Sequence, residues 1–416
     1  MDKQNSKLRW VIFVSVLFTY LLMSSQRTAP GLITDQLMID FSVTASTIGL
    51  VTSIQFFVYT GLQIPLGILA DRYGPNFFLI IGAMLTGVGT IIYSLGTDEF
   101  VLFFARILTG IGDATIWVNM VLILSLWFNE KEFTRLIGFA GMTGSLGFLL
   151  ATVPFSVLIV LLDWRGAFLS AGVLLCLCSI FLYIVLVKKT KQSVFLKNKR
   201  KHEKTTALLR RILSSRQAWA LFFCHFGIVG GYIGFIGSWA VPYMMDVYGM
   251  TRLDASQIIM VSLIGALIGA PLIGWISSYL ETIKRPYIVF HVTVLLCWSV
   301  FLLFKEHPPI YLLVILFFVI GFGFGSNSLT FAVVRQSFPI SESGIVTGFA
   351  NTGGFLSAVL LPSIFGYLLD HFQSSPGIIS HGYYYGFLTP VIFSMFGLIG
   401  VIFIKEKYHY TERNTK

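Results

Sequence analysis

Charged residues are scarce in this sequence, and their scarcity excludes a soluble globular enzyme. Only 12% of the 416 residues are Asp, Glu, Lys or Arg, against roughly 25% in an ordinary soluble domain. Hydrophobic residues make up 56% of the chain, which includes 39 phenylalanines, and the mean hydropathy is +0.81. This composition predicts a protein that crosses the lipid bilayer many times.

Reactive cysteine clusters and the motifs of enzyme active sites are also lacking. The sequence contains no HExxH, no P-loop and no Gly-x-Ser-x-Gly motif, so we predict no enzyme activity, no cofactor and no bound metal. Four cysteines fall within apolar runs, where packing is their expected role: Cys176, Cys178, Cys224 and Cys297.

Long apolar runs recur between short polar breaks along the chain. Each run is long enough to cross about 30 Å of hydrocarbon as a helix. No small-residue cleavage site follows the first run, so we expect it to be retained as a span. The sequence therefore predicts an all-α membrane protein with twelve spans, near residues 10–30, 45–70, 77–96, 100–127, 136–161, 167–187, 217–240, 255–280, 286–304, 310–334, 344–369 and 382–404.

One basic segment accounts for the whole net charge of +10. Residues 188–216 hold eleven Lys or Arg and one Glu, whereas the rest of the chain is balanced at 18 against 18. The segment divides the spans into six and six. We predict an N-terminal six-helix bundle at 1–187, a basic cytoplasmic linker at 188–216 and a C-terminal six-helix bundle at 217–416. A basic cytoplasmic loop is common in membrane proteins, so we expect no nucleic-acid partner.

The distribution of Lys and Arg between the loops predicts the orientation. With both termini inside, the cytoplasmic segments hold 24 Lys or Arg and the external loops hold three. Because cationic loops resist translocation, both termini are predicted to be cytoplasmic. We expect a multi-pass protein of a cell membrane, with the bacterial inner membrane as its place, acting as a monomer in the lipid bilayer.

The two halves carry similar short motifs. "GFAGMTG" at 138–144 matches "GFANTGG" at 348–354, and "GIG" at 110–112 matches "GFG" at 323–325, with offsets of 210 and 213 residues. Two copies of six spans in the same orientation imply two bundles related by an axis along the membrane normal.

Three motifs resemble those of a known family. "GILADRYGPNFFL" at 67–79 resembles the loop signature of the major facilitator superfamily, while "RILTGIG" at 106–112 and "DWRGAF" at 163–168 resemble its motifs in spans four and six. The resemblance covers essentially the whole chain. It implies the superfamily's fold, in which two six-helix bundles expose a central site alternately to the two sides of the membrane.

The resemblance also implies where the gates lie. Asp71 and Arg72 are expected at the cytoplasmic end of span two, close to the start of span eleven near Ser343, whose helix dipole favours a negative charge. Arg106 in span four is expected to act in packing and gating. Ser278 takes the position of Asp71 in the second half, so the gate is predicted to be asymmetric.

Within the superfamily, the chain resembles the anion–cation symporter branch, whose members move sugar acids, sialic acid and similar carboxylates. The resemblance rests on Arg27 in span one, on Tyr59 in span two and on Asp113, which lies seven residues after the span-four arginine. The motif "QIPLG" at 63–67 also matches. The chain differs from the sugar-acid members at three positions: Gln26, Asp113 and Gly144.

Arg27 is predicted to grip the substrate anion. It lies beside Ser24, Ser25 and Gln26, and a polar patch on one helix faces a cavity in preference to lipid. A planar guanidinium can bind a carboxylate through two parallel hydrogen bonds. The alternative is that Arg27 snorkels to the outer membrane interface.

Asp113 and His225 are the candidates for proton coupling. Asp113 is the one acid within a predicted span, and low dielectric penalises the charged form of a carboxylate, as a proton carrier requires. The alternative is a structural pair with Arg106. His225 in span seven is a second candidate relay, with a hydrogen-bonded neutral histidine as the alternative.

Further side chains are predicted to line the cavity with Arg27. They are polar or aromatic, and the alternative for each one is ordinary packing: Tyr59, Trp117, Tyr232, Trp239, Asn327 and Asn351.

The sequence therefore predicts a secondary active transporter that imports a small organic anion, a carboxylate, together with protons. Sodium is the alternative coupling ion. One rival hypothesis is an exporter or facilitator of a neutral or zwitterionic solute, such as an amino acid or peptide. Another is a non-transporting sensor that acts through the basic loop.

Overall fold

The computed structural model describes residues 7–43, 45–151, 153–188, 205–373 and 380–406. Helices dominate these ranges and no strand occurs in them. Twelve helical segments are long and apolar enough to cross a membrane, which confirms the predicted all-α architecture with twelve spans.

The described residues of the first half form seven helices. Most of them end within a few residues of the predicted spans. Their bounds are α1 (Leu8–Thr28), α2 (Thr34–Phe41), α3 (Ala45–Tyr73), α4 (Pro75–Ser94), α5 (Glu99–Trp127), α6 (Glu130–Leu150) and α7 (Val153–Tyr183).

Ten helices occur in the part of the second half that the structure describes. Their bounds are α8 (Thr205–Leu213), α9 (Arg216–Val229), α10 (Phe235–Ser238), α11 (Ala240–Tyr248), α12 (Arg252–Tyr279), α13 (Lys284–Leu303), α14 (Ile310–Phe324), α15 (Ser328–Ser337), α16 (Ser343–Gln373) and α17 (Ser380–Phe403).

Polar caps fix where several helices begin. The Asp98 side chain accepts a hydrogen bond from the Val101 amide at the start of α5. Asn129 and Glu132 form a reciprocal capping box at the start of α6. Such caps satisfy amides that have no partner within the helix, so these two polar breaks become defined helix starts.

The helix α7 contains a reversal of the chain. Asp163 has non-helical backbone angles, with φ at 61°. The rings of Phe155 and Phe168 lie 5.1 Å apart, although thirteen residues of straight helix would span about 20 Å. The chain therefore turns back at Asp163, and α7 holds the end of the fifth span and the whole of the sixth.

Two spans of the second half are interrupted at glycines. A π-helical turn at Gly230–Gly234 separates α9 from α10, and a 3-10 turn at Gly325–Asn327 separates α14 from α15. Glycine is a poor helix former, so irregular turns form at these positions at low cost. Both interruptions lie next to the central cavity described below.

Apolar clusters follow the division of the chain into halves. The largest cluster of buried residues runs from Leu208 to Ile404. Two others draw on residues from Ile12 to Leu186 and from Ala29 to Phe168, apart from Phe331, which joins the N-terminal cluster. The predicted boundaries of the bundles stay a prediction, since residues 189–204 of the linker lie outside the described residues.

The described part of the linker forms a short helix against the second half. In α8, Leu208 and Ile212 are buried in the C-terminal cluster. Arg211 is exposed, and its Nη2 donates to Glu342 Oε1 at 2.7 Å. This ion pair ties the linker helix to the turn that precedes α16.

The two halves pack closely at one end of the molecule, where α3 ends and α16 begins. We call this end the predicted cytoplasmic side. A Cβ atom at Gly67 would lie 2.4 Å from the carbonyl oxygen of Gly344, and one at Gly138 would lie 2.5 Å from that of Ala270. Only glycine allows backbones this close, so α3 seals against α16 and α6 against α12.

Candidate functional site

A cavity lies between the two halves, above their close packing. Its volume is about 70 Å³, which is room for only a few water molecules. Both halves contribute to its wall. The lining residues are Tyr20, Arg27, Tyr59, Trp117, Gly141, Gly144, Ser145, Phe148, His225, Val229, Ile233, Phe324, Asn327, Phe331, Asn351 and Phe355.

A buried ion pair lies at the N-terminal wall of this cavity. Arg27 on α1 donates from Nε to Asp113 Oδ2 at 2.6 Å and from Nη2 to Oδ1 at 3.0 Å. Both residues are buried, with exposures of 5% and 1%. Two parallel bonds between planar groups are the strongest form of such a pair, so each charge makes the burial of the other tolerable.

The neighbours of the pair leave Arg27 facing the cavity. Gln55 Nε2 lies 3.4 Å from Asp113 Oδ2, on the carboxylate side. The Arg27 guanidinium carbon lies 4.9 Å from the ring centroid of Tyr59, close enough for a cation–π contact. Arg27 thus lines the cavity and Asp113 lies behind it. In the described structure Asp113 forms its ion pair with Arg27. The alternative partner considered from the sequence was Arg106.

A polar cluster joins the halves across the cavity floor. Asn351 Nδ2 on α16 donates to the Tyr59 hydroxyl at 3.0 Å and to Gln63 Oε1 at 2.8 Å, both on α3. The side chains are buried, so these bonds are shielded from competing water. They can form only while α3 and α16 are close, which links the floor to the conformation of the carrier.

His225 heads a chain of hydrogen bonds within the C-terminal half. Its Nδ1 lies 3.3 Å from Thr330 Oγ1, which lies 2.6 Å from the Tyr287 hydroxyl. Tyr287 belongs to the first turn of α13, whose start adjoins the predicted cytoplasmic side. The chain of hydrogen bonds therefore leads from the cavity wall to the start of α13.

A family model and individual proteins both match this chain. The model described as "Major Facilitator Superfamily" matches residues 12–328 and 240–416. The chain belongs to the Major Facilitator Superfamily. It is a multi-pass membrane transporter and not an enzyme.

Two curated relatives and one solved structure illustrate the likeness. An uncharacterized transporter, YybO, of Bacillus subtilis is 22% identical over 97% of this chain and 95% of its own length. The D-galactonate transporter of Escherichia coli O6:H1 is 24% identical over 89% of this chain and 90% of its own. The superfamily transporter FucP in its outward conformation has a TM-score of 0.77 at 14% identity, covering 96% of this chain and all of that one.

The superfamily loop signature places Asp71 against the opposite half. Its Oδ1 and Oδ2 accept hydrogen bonds from the Gly344 and Ile345 amides, each at 2.8 Å. These amides lie at the start of α16, where the helix leaves N–H groups unpaired and carries a positive partial charge. Asp71 is thus an N-cap supplied from the other bundle. Arg72, its half-buried neighbour, lies at the same end of α3.

The second inter-half contact on this side is weaker. Ser278 Oγ donates to the Lys131 carbonyl oxygen at 3.3 Å, and Lys131 Nζ lies 2.7 Å from Glu281 Oε1. The lysine and glutamate side chains are 62% and 69% exposed, so water screens their attraction. The two contacts therefore differ in kind, as the sequence difference between Asp71 and Ser278 predicts.

Arg106 lies deep in the N-terminal half, away from these two contacts. Its Nη1 donates to the Gln26 carbonyl oxygen at 3.2 Å, and its guanidinium lies 5.7 Å from the Tyr93 ring centroid. It is 2% exposed, and its Nε and Nη2 have no described partner. Its expected packing role agrees with this burial, and its gating role stays a prediction.

The structure separates the predicted lining residues into two groups. Arg27, Tyr59, Trp117, His225, Asn327 and Asn351 line the cavity. Tyr232 lies behind the wall: its ring stacks on Phe324 at 4.2 Å, and its hydroxyl donates to the Ser262 carbonyl oxygen at 3.4 Å. Tyr232 therefore supports Phe324 in this structure, and its contact with substrate stays a prediction. Trp239 packs on Phe365 and donates to the Pro362 carbonyl oxygen.

Sequence reasoning missed several lining residues. Tyr20, Phe331 and Phe355 belong to apolar runs and carry no local signal that distinguishes them from packing residues. Behind the lining residues, Gln63 bonds Asn351 and gave a usable signal, because it opens the "QIPLG" motif. Gln55, which also does not line the cavity, lies two turns before it on α3.

Proposed function

We propose that this transporter carries a small organic anion into the cell together with protons by alternating access. The observation that carries the proposal is the buried Arg27–Asp113 pair at the cavity wall. It combines an anion-binding group with a group that can hold a proton. The named substrate of the galactonate relative is also a carboxylate, which supports the substrate class.

The pair supplies a physical route to coupling. While Asp113 is ionised, it engages two of the three guanidinium nitrogens of Arg27. Protonation of Asp113 removes the negative charge and weakens this hold, which frees Arg27 for the carboxylate of a substrate. By linkage, an anion that favours the protonated state must in turn raise the affinity for the proton. Proton and anion therefore bind together.

Co-transport of protons also answers the electrical cost of import. One negative charge that enters against 100 mV, inside negative, costs roughly 2.3 kcal/mol. When one proton enters with each monoanion, no net charge crosses the membrane. When more than one proton enters, net positive charge moves inward and the membrane potential favours import. The Asp71 cap on α16, broken and remade as the bundles rock, is the proposed inner gate, with Arg72 beside it.

The test compares two transport modes in the same vesicles. The substrate is the organic anion that most stabilises the purified protein in a thermal-shift screen. Asp113→Asn mimics the protonated carboxyl, so this variant should exchange substrate by counterflow. It should lose accumulation driven by a pH gradient alone. Asp254→Asn, at an exposed acid near the start of α12, should retain both.

The outcomes separate the proposal from its rivals. If both modes survive in Asp113→Asn, the proton is carried elsewhere, with His225 the next candidate. If the wild-type protein accumulates substrate on a sodium gradient and not on a pH gradient, sodium is the coupling ion. If counterflow alone occurs in the wild-type protein, the carrier is a facilitator. If the wild-type protein shows neither counterflow nor pH-driven uptake, the result supports the hypothesis of a non-transporting sensor.

A further inference from the structure

The wall of the cavity is mostly aromatic and apolar. Five of its sixteen lining residues are Phe or Trp, and Val229 and Ile233 are aliphatic. Phe331 packs against Trp117 with ring centroids 5.0 Å apart, and Phe355 packs against Tyr59 at 4.4 Å. Both bundles therefore present ring surfaces to the same small space.

Three polar side chains on this wall, Asn351, Tyr59 and His225, are bonded within the protein. Both described donations of the Asn351 amide go to Tyr59 and Gln63 on the opposite bundle. His225 Nδ1 bonds Thr330. Solute hydroxyl groups placed against these three side chains would lose their bonds to water and find few replacements, which lowers affinity. The wall also holds one donor without a described partner, Trp117 Nε1.

Arg27 is the one lysine or arginine among the described residues that line the cavity. It therefore suits a ligand with one carboxylate. Its guanidinium carbon lies 4.9 Å from the Tyr59 ring centroid and 6.0 Å from that of Phe355. A carboxylate held by Arg27 consequently places the rest of its molecule beside these rings.

We propose that the substrate is a small monocarboxylate with an aromatic body, not a polyhydroxylated acid. The proposal rests on the proposed function and adds the substrate class to it. An aromatic ring packs favourably against Phe355, Tyr59 and Phe331 by edge or offset contacts. A sugar acid offers hydroxyl groups where the wall offers carbon. The substrate of the galactonate relative therefore does not carry over to this chain.

Titration of the purified full-length protein against matched acids tests the proposal. Benzoate and phenylacetate supply the aromatic body, cyclohexylacetate supplies an apolar body without an aromatic ring, and D-galactonate supplies the polyol. Each dissociation constant is read from the ligand-dependent rise in Tm. The aromatic acids should bind at least roughly tenfold more tightly than D-galactonate.

Two variants locate the selectivity in the wall. Phe355→Leu keeps the apolar surface but removes a ring, so it should weaken phenylacetate by roughly three- to tenfold and leave cyclohexylacetate nearly unchanged. Phe57→Leu is the control, because Phe57 lies on the same helix as Tyr59 but is 75% exposed. It should change neither acid.

The outcomes also separate this proposal from the proposed function. D-galactonate binding as tightly as the aromatic acids, or failure of both aromatic acids to bind, would overturn the substrate class while leaving anion symport open to the screen. Aromatic-selective binding without proton-driven uptake of the bound acid would uphold the class and contradict symport. Equal losses of phenylacetate affinity in Phe355→Leu and Phe57→Leu would also overturn the proposed substrate class.

Discussion

At the scale of single residues, the site depends on two charges that lie 86 positions apart in the chain. The sequence predicted each of them separately, because each interrupts a long apolar run. It did not predict that they pair, since a single sequence carries no information on contacts between distant positions. Asp113 has Arg106 as its neighbour by helical spacing, yet the fold gives it Arg27.

The geometry of the pair predicts the effect of a conservative change. Arg27→Lys keeps the positive charge but loses the planar group that bonds two carboxylate oxygens. Substrate affinity should fall by about tenfold or more, since hydrogen bonds to charged groups contribute about 1.5–3 kcal/mol. Titration of the substrate-induced rise in Tm measures the loss.

The apparent Tm of the ligand-free variant is the control. It should stay close to the wild-type value, because the ammonium group of the substituted side chain still compensates the charge of Asp113. Wild-type affinity in Arg27→Lys would contradict an anion clamp and favour a cation that only balances Asp113.

His225 offers a second test at this scale. If Asp113 carries the proton, His225→Gln should keep pH-driven accumulation, with a modest loss of affinity because His225 lines the cavity. The same vesicle assay with Thr330→Val serves as the matched variant, since Thr330 bonds His225 from behind the wall. Loss of pH-driven uptake with intact counterflow in both variants would move the proton route to this chain of hydrogen bonds.

At the scale of elements, the long apolar helices were predictable and the short ones were not. The twelve spans follow from run length alone. The helices α2 and α11 escaped prediction because they are only eight and nine residues long, too short for periodicity to stand out. The turns at Gly230–Gly234 and Gly325–Asn327 fall at glycine clusters within stretches that the sequence predicted as continuous spans.

The N-cap of α16 predicts a conformational effect of a gate mutation. Asp71→Asn keeps the shape of the side chain but removes the charge that favours the positive end of α16. The closed predicted cytoplasmic side should lose about 1 kcal/mol of stability, which shifts the population toward inward-open states by roughly fivefold. Cysteine accessibility on the two sides of the cavity measures the shift.

Asp98→Asn is the matched control for this prediction. Asp98 also caps a helix, α5, but it does so within one bundle. Its loss should lower the unfolding Tm without changing the ratio of inside to outside labelling. An unchanged ratio in Asp71→Asn, or an equal change in both variants, would argue against an inter-bundle gate.

At the scale of the whole molecule, composition and repeats predicted the fold. Twelve spans and the superfamily motifs led to the architecture that the structure describes. The orientation, with both termini inside, stays a prediction from 24 against three cationic residues, as do the monomeric state and the bacterial inner membrane. The cavity wall was only partly predictable, because the 39 phenylalanines give no sequence signal that separates lining rings from packed ones.

The proposed symport mechanism depends on linkage between proton binding at Asp113 and anion binding at Arg27. The most direct measurement is substrate affinity as a function of pH, together with the protons taken up on binding, by calorimetry in buffers of different ionisation enthalpy. Substrate affinity should fall as pH rises, by up to about tenfold per pH unit. About one proton should be taken up by the protein for each anion bound. In Asp113→Asn, affinity should become independent of pH and proton uptake should vanish. A wild-type affinity that is flat with pH, with no proton uptake, would contradict the account.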